Sequence, residues 1–346
     1  MSVTDTAALG RSGVEVTRLA LGCAPLGGLY SAVDEATART TVDAAWQAGL
    51  RFFDTAPLYG FGLSERRVGA ALREREGFVL STKVGRVLEP LTGAPGPDAA
   101  TFPAAPPLDP RFDYSRDGVL RSFEESVRRL GVERVDVMLI HDPDDHMDTA
   151  LGEAYPALEE LRGEGVVRAI GAGMNQAPAL ARFVRETDID CVLLAGRYTL
   201  LDRSAAADLL AACVERGVAV IAGGVLNSGI LAAPRPGATY DYAPAPRELL
   251  ERARAIEATC ERHGIPLPAA ALQSHSATQR SPRCWLEHGH RPRSRKTRGC
   301  SSSRSRKSCG TSWRGRPGDA GERRACGEAR PAATPGPPRF SSRCGA

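Results

Sequence analysis

Asp54, Tyr59, Lys83 and His141 are the four residues whose types and spacing suggest chemistry. Each stands at or just past the end of a short apolar run. The relevant stretches are Phe52-Phe53-Asp54-Thr55-Ala56-Pro57-Leu58-Tyr59-Gly60, Ser81-Thr82-Lys83-Val84-Gly85 and Leu139-Ile140-His141-Asp142-Pro143. A tyrosine with its ordinary pKa of about 10 is a poor base at neutral pH. A neighbouring ammonium stabilises the phenolate and lowers that value. Lys83 is expected to do so for Tyr59, with Asp54 holding Lys83 in place. His141 is suited to orient a substrate oxygen. Each residue also has a plainer reading: Asp54 as a helix cap, Lys83 on the surface, His141 as a satisfied core histidine, Tyr59 as a loop aromatic. Their joint occurrence on consecutive strands favours a common site.

The elements that must position them alternate along the chain. Runs rich in β-formers occur at Leu19–Gly22, Arg51–Asp54, Phe78–Lys83, Val135–His141, Arg168–Gly173, Cys191–Ala195 and Val218–Gly223. Helical periodicity predicts helices over Thr37–Ala48, Ser64–Arg73 (with Ser64 as N-cap), Ser115–Leu130, Thr149–Arg162, Ala177–Arg185, Asp202–Arg216 and Pro246–His263. Apolar strands alternating with helices imply a parallel sheet covered by helices. Units repeated this often favour a closed (β/α)8 TIM barrel, whose chemistry sits at the C-terminal strand ends. Leu9–Val16 is expected to form a small hairpin ahead of the barrel. The Pro/Gly-rich stretch Gly85–Tyr114 is expected to be a long functional loop carrying substrate contacts.

Composition narrows the class. The 346 residues are 42% hydrophobic and 25% charged, as in a soluble globular protein. No run approaches the roughly 18 apolar residues of a membrane helix. Met1–Leu9 lacks the pattern of a signal peptide, so the cytoplasm is the expected compartment. Cys23, Cys191, Cys213 and Cys260 read as reduced core cysteines. The net charge of +4 averages two unlike pieces. Ser274–Ala346 carries 17 Lys and Arg against 4 Asp and Glu, while residues 1–273 carry 28 against 37.

The arrangement around Phe53-Asp54-Thr55-Ala56, Tyr59-Gly60, Thr82-Lys83 and Ile140-His141 resembles the aldo-keto reductase family, from about Leu9 to Gln273. The resemblance implies a barrel that moves a hydride between NAD or NADP and a carbonyl or sugar, with Asp54, Tyr59, Lys83 and His141 as its catalytic tetrad. It implies cofactor contacts at Gly22, Asp54 and Asn175. Met174 stands where the family usually has serine, and Ala195 where many members carry glutamine. Gly224-Val225-Leu226-Asn227-Ser228-Gly229-Ile230-Leu231 looks like the pyrophosphate loop, with Leu226, Asn227, Ser228 and Gly229 nearest the phosphates; its backbone N–H groups and small side chains suit an anion. Its plainer reading is a mere connection. No Gly-x-Gly-x-x-Gly fingerprint is present, which disfavours a Rossmann dehydrogenase. Leu21–Gly27, His141–Asp145, Ala195–Leu201, Leu226–Leu231 and Tyr240–Pro244 look like the branch of aldose 1-dehydrogenases acting on L-fucose, L-galactose or D-arabinose. Pyridoxal 4-dehydrogenases and general aldehyde or ketone reductases are the alternatives. The implied partner is a small-molecule sugar or aldehyde; neither a specific nucleic acid nor a metal is expected.

Beyond Gln273 the pattern stops. Ser274–Ala346 has no Val, Ile, Met or Tyr, one Leu and one Phe. Such a stretch cannot offset chain entropy by burial and is expected to be a disordered basic tail, leaving the eighth strand missing. Adding one T ahead of the codons for Ser274–Pro282 permits the reading Phe-Pro-Leu-Arg-His-Pro-Ala-Val-Ala. An apolar strand and a Gly-x-Arg can follow. This motivates the hypothesis of a one-base frameshift near codon 274, which gene sequencing tests. On that reading the chain has a destabilised barrel and weakened cofactor binding. A rival reading takes the tail, with Ser301–Lys307, as a nucleic-acid-binding arm on a non-catalytic barrel.

Overall fold

Alternation along the strands organises this protein, seen in a computed structural model that describes residues 2–206, 208–241, 243–274 and 283–288. The barrel strands are β1 (Leu19–Gly22), β2 (Phe52–Asp54), β3 (Val79–Val84), β4 (Val137–His141), β5 (Ala169–Met174), β6 (Cys191–Ala195), β7 (Ala219–Gly223) and β8 (Arg283–His288). They pair in parallel and in chain order into a closed barrel. Side chains two apart share a face. Phe52, Val79, Val137, Leu139, Cys191, Leu193, Ala219 and Ile221 fill the barrel interior. Phe53, Leu80, Val84, Met138, Ile140, Val192 and Val220 face the helical layer.

The helical layer comprises α1 (Glu35–Gln47), α2 (Leu63–Leu72), α3 (Arg116–Leu130), α4 (Tyr155–Gly163), α5 (Ala177–Glu186), α6 (Leu209–Arg216), α7 (Arg247–Arg262) and α8 (Leu267–Gln273) among the described residues. Ser115 caps α3 as expected, its side chain accepting from the Gly118 N–H at 3.1 Å. A hairpin pairs Thr6–Ala8 with Glu15–Thr17, and Leu9, Val14 and Val16 plug the N-terminal end of the barrel. The four cysteines Cys23, Cys191, Cys213 and Cys260 are buried.

Four expectations change. First, an eighth strand is present: Arg283–His288 runs between β7 and β1, pairing Val220 with Arg283 and Leu19 with Trp285. The strands flanking this position present main-chain N–H and C=O groups that need partners, and an extended segment supplies them whatever its side chains. The rest of the expected tail lies outside the described residues. Second, Gly85–Tyr114 is no simple loop. Arg86–Pro90 and Leu108–Phe112 form an antiparallel hairpin, with a short helical turn at Asp98–Thr101 between them. Prolines and glycines masked that pairing. Third, Ser64 does not cap α2; Gly62 does, in a left-handed conformation. The Ser64 hydroxyl turns inward and donates to the Cys23 carbonyl at 2.7 Å. Fourth, α6 begins at Leu209, because Asp202 accepts from the Ser204 N–H at 2.9 Å and holds a local turn where helix was expected.

Candidate active site

The interior register of β2, β3 and β4 delivers the chemistry to one end of the barrel. Asp54 follows Phe52 by two, Lys83 follows Val79 by four, and His141 follows Val137 by four, so all three point into the pore mouth. The outward residues between them lock the strands to the helices. Thr82 donates to Glu65 at 2.7 Å, and Arg129 donates to the other Glu65 oxygen at 2.5 Å. Tyr59 arrives from the turn after β2, and two glycines set its position. A Cβ on Gly60 would lie 2.2 Å from the Gly27 carbonyl oxygen, and one on Gly27 would lie 2.5 Å from the Tyr59 carbonyl carbon. Gly60 also has φ +62°, a conformation that favours glycine.

The four expected residues meet. Lys83 is 1% exposed, and its Nζ donates to Asp54 Oδ2 at 2.7 Å and to the Thr55 carbonyl at 2.8 Å. Ser81 donates to the other Asp54 oxygen at 2.6 Å. The Lys83 ammonium lies 4.6 Å from the centre of the Tyr59 ring. His141 meets Tyr59 edge to face, with ring centres 5.8 Å apart. Tyr114 shares its hydroxyl proton between the carbonyls of His141 at 2.6 Å and Asp142 at 2.7 Å. That anchors the turn after β4.

The electrostatics correct one expectation. Tyr59 is not depressed by Lys83. Burial, then the charges of Asp54, Asp142 and Cys23, push it well above its usual value. The ammonium is committed to the Asp54 carboxylate, whose negative charge opposes it at the phenol. Tyr59 is therefore a proton donor at neutral pH. Burial, then Lys83 and Arg86, hold His141 well below its usual value, so its imidazole is neutral at pH 7. Its Nδ1 is buried with no partner. Asp142 is raised to about 6, chiefly by burial.

The other half of the mouth is built from small residues. The inward positions at the ends of β5, β6 and β7 are Gly173, Ala195 and Gly223. A Cβ on Gly173 would come within 3.3 Å of Leu193, and one on Gly223 within 3.1 Å of the same side chain. A flat ring can rest where those side chains would have been. Met174, in the place usual for serine, packs into the outer core. Asn227 and Ser228 have φ of +45° and +53° in the loop after β7. Asn227 Nδ2 donates to the Gly196 carbonyl at 3.0 Å, while its buried Oδ1 has no partner. That acceptor suits a ribose hydroxyl or a carboxamide NH2. The small floor and the unused acceptor together fit a nicotinamide nucleotide.

A cavity of about 560 Å³ joins the two halves. Tyr59, Asn175, Leu226, Asn227, Ser228 and Gly229 line it, as do Asp54, Lys83 and His141. Gly22 does not. It sits in the barrel wall between Asp54 and His288, with Leu21 and Ala24 reaching the cavity instead. Sequence reasoning named no residue on the substrate side. The structure puts Arg86, Asp98, Phe102, Phe112, Asp142 and His146 there. The available signal was the Arg86-Val87-Leu88 strand immediately after Lys83.

The aldo/keto reductase family model matches residues 18–279. D-threo-aldose 1-dehydrogenase of a Pseudomonas species is 44% identical over 281 residues, covering 79% of this chain and 85% of that protein. Pyridoxal 4-dehydrogenase of Microbacterium luteolum is 42% identical, covering 79% and 86% respectively. Among solved structures, the holo form of an aldo-keto reductase from Bacillus halodurans superposes with a TM-score of 0.71 at 26% identity, covering 89% of this chain and 94% of that one. Likeness of this extent places the protein in the aldo/keto reductase family, as an NAD(P)-dependent oxidoreductase.

Proposed function

We propose that the protein oxidises an aldose at C1 to the lactone. The observation that carries this reading is the buried Asp54–Lys83 pair beneath Tyr59, with His141 edge-on, opening into a cavity with carboxylates on its substrate side. Carboxylates suit a polyhydroxylated ligand because each oxygen accepts hydrogen bonds from hydroxyls. The 44% identity to an aldose 1-dehydrogenase supports the substrate class.

NAD or NADP, when bound, supplies the hydride acceptor at its nicotinamide ring. Asn175, Leu226, Asn227, Ser228 and Gly229 are the residues we assign to hold it, with Asp54 lining the same cavity. Tyr59 takes the proton of the C1 hydroxyl as the C1 hydrogen leaves with its electron pair, and the C1–O bond becomes the lactone carbonyl. Neutral His141 donates its Nε2–H to the same oxygen and fixes its direction. Lys83, fixed by Asp54, stands 4.6 Å from the Tyr59 ring centre, and burial and the Asp54 charge outweigh its pull on the phenol. In the reverse direction Tyr59 donates its proton to a carbonyl oxygen. A high pKa therefore favours reduction at neutral pH and oxidation at alkaline pH.

A second reading is oxidation of pyridoxal. The rings of Phe112 and His146, 5.1 Å apart and both lining the cavity, would pack against a flat aromatic substrate. Absorbance of reduced nicotinamide, followed with L-fucose, L-galactose, D-arabinose and pyridoxal, separates the two. Tyr59→Phe is expected to lower kcat by roughly 100- to 10,000-fold, while leaving cofactor affinity from fluorescence titration within about 3-fold. Equal turnover by this variant removes Tyr59 from the chemistry.

A further inference from the structure

The residue after His141 has an uncommon left-handed backbone conformation. Asp142 has φ +46°. Few non-glycine residues adopt it, and such residues cluster at ligand-binding positions. Three contacts hold it there. The Asp142 N–H donates to the Gly173 carbonyl at 3.0 Å, closing the β4–β5 ladder. Tyr114 donates to its carbonyl at 2.7 Å. The Arg86 guanidinium stands 3.8 Å from its carboxylate.

Arg86 is itself held rigid. Its Nη1 donates to Asp98 at 3.2 Å, and its plane stacks 3.8 Å from the centre of the Phe112 ring. The consequence is a carboxylate aimed into the cavity, with Oδ2 3.5 Å from His141 Nε2. That separation is longer than a hydrogen bond, so His141 is not spent on Asp142. The side chain keeps 37% of its surface exposed. The acceptor is fixed and accessible, and it sits beside the donor that faces the reacting oxygen.

Two groups so placed match two oxygens on adjacent carbons. We propose that Asp142 is the specificity determinant that accepts a hydrogen bond from the hydroxyl on the carbon next to the reacting one. The proposal builds on the aldose reading but extends to any 2-hydroxy carbonyl compound. Asp144 and Asp145 line the same cavity and add negative charge near Asp142. A 2-phosphorylated substrate would meet that charge and a 2-oxo substrate would lack the proton to donate, whereas a neutral hydroxyl supplies the proton without charge. The alternative role for Asp142 is purely to order Arg86, which would affect all substrates alike.

The test uses two substrate pairs that differ only in that hydroxyl. One is D-arabinose against 2-deoxy-D-ribose in oxidation; the other is lactaldehyde against propionaldehyde in reduction. A hydrogen bond to a charged acceptor predicts a preference of roughly 10- to 100-fold in kcat/KM for the hydroxylated member in the wild type. Asp142→Ala should reduce that ratio to below about 3-fold. Asp142→Asn retains an acceptor and a residue type that tolerates the left-handed backbone, and should leave an intermediate ratio. Cofactor affinity and circular dichroism of each variant report whether the fold persists. If arabinose is inert while lactaldehyde still outruns propionaldehyde in the wild type and not in Asp142→Ala, the proposal stands and only the aldose reading falls. A wild-type ratio near one for lactaldehyde, or an unchanged preference in a folded Asp142→Ala, overturns it.

Discussion

Breaking the Asp54–Lys83 pair should be more damaging than deleting it. Both side chains are almost fully buried, at 4% and 1% exposure, and they meet at 2.7 Å. Removing one partner leaves an uncompensated charge in the barrel, which costs about 3–5 kcal/mol in comparable buried pairs. The neighbours divide that cost unevenly. In Lys83→Met, Asp54 keeps only the Ser81 hydroxyl as a side-chain donor, so the loss should be about 4 kcal/mol. In Asp54→Asn, Lys83 keeps the Thr55 carbonyl. That contact compensates part of the charge, so about 2–3 kcal/mol is expected. The double variant restores neutrality with side chains of similar shape and should lose only about 1–2 kcal/mol. The pair would then show a coupling of about 4–6 kcal/mol, against roughly 0.5 kcal/mol for independent sites. Equilibrium unfolding in urea, read from midpoints at a shared slope, measures each value. All three variants should be catalytically impaired, so stability is the discriminating readout. If the single losses add to the double loss within about 0.5 kcal/mol, Asp54 and Lys83 are not an energetically coupled pair.

Two further predictions come from the site geometry and one from the sequence beyond Gln273. Because Tyr59 is held above its usual value, log kcat/KM for oxidation should rise with near-unit slope from about pH 7 to 9, while reduction stays flat; a flat oxidation profile would contradict the phenol as base. Gly85→Ala places a Cβ 2.2 Å from the Tyr114 ring at φ +97°, and should cost about 1–3 kcal/mol in urea unfolding, with a raised KM as the His141–Asp142 turn loses its anchor. Adding one T ahead of the Ser274 codons should raise the thermal midpoint and tighten binding of NAD or NADP. The frameshift hypothesis fails if midpoint and affinity both stay unchanged.

The legible parts of this protein were those encoded locally. Strand periodicity put Phe52, Val79 and Val137 on one face, and the same two-residue step carried forward predicts that Asp54, Lys83 and His141 converge. The capping serine of α3 was readable because its partner lies three residues away. Ser64 looked equivalent, yet its hydroxyl serves the Cys23 carbonyl, a contact 41 positions distant. The hairpin from Arg86 to Phe112 was hidden for a similar reason. Its two strands are separated by a proline- and glycine-rich stretch, and pairing across such a gap leaves little mark on either strand alone.

The phenol's pKa shows why a residue list underdetermines chemistry. Tyr59, Lys83 and Asp54 were each identified from sequence, and proximity of a lysine implied a depressed phenol. What decides the sign is how the charges are paired. Lys83 Nζ spends two of its donors on Asp54 and Thr55, at 2.7 and 2.8 Å, while its distance to the Tyr59 ring centre is 4.6 Å. The carboxylate that fixes the lysine also cancels most of its field at the phenol, and burial then favours the neutral form. One substitution separates these contributions. Asp54→Asn removes the cancelling charge, so the alkaline rise of any residual oxidation should move to lower pH. A shift to higher pH would mean that Asp54 acts on Tyr59 mainly through lysine position, with its own charge secondary.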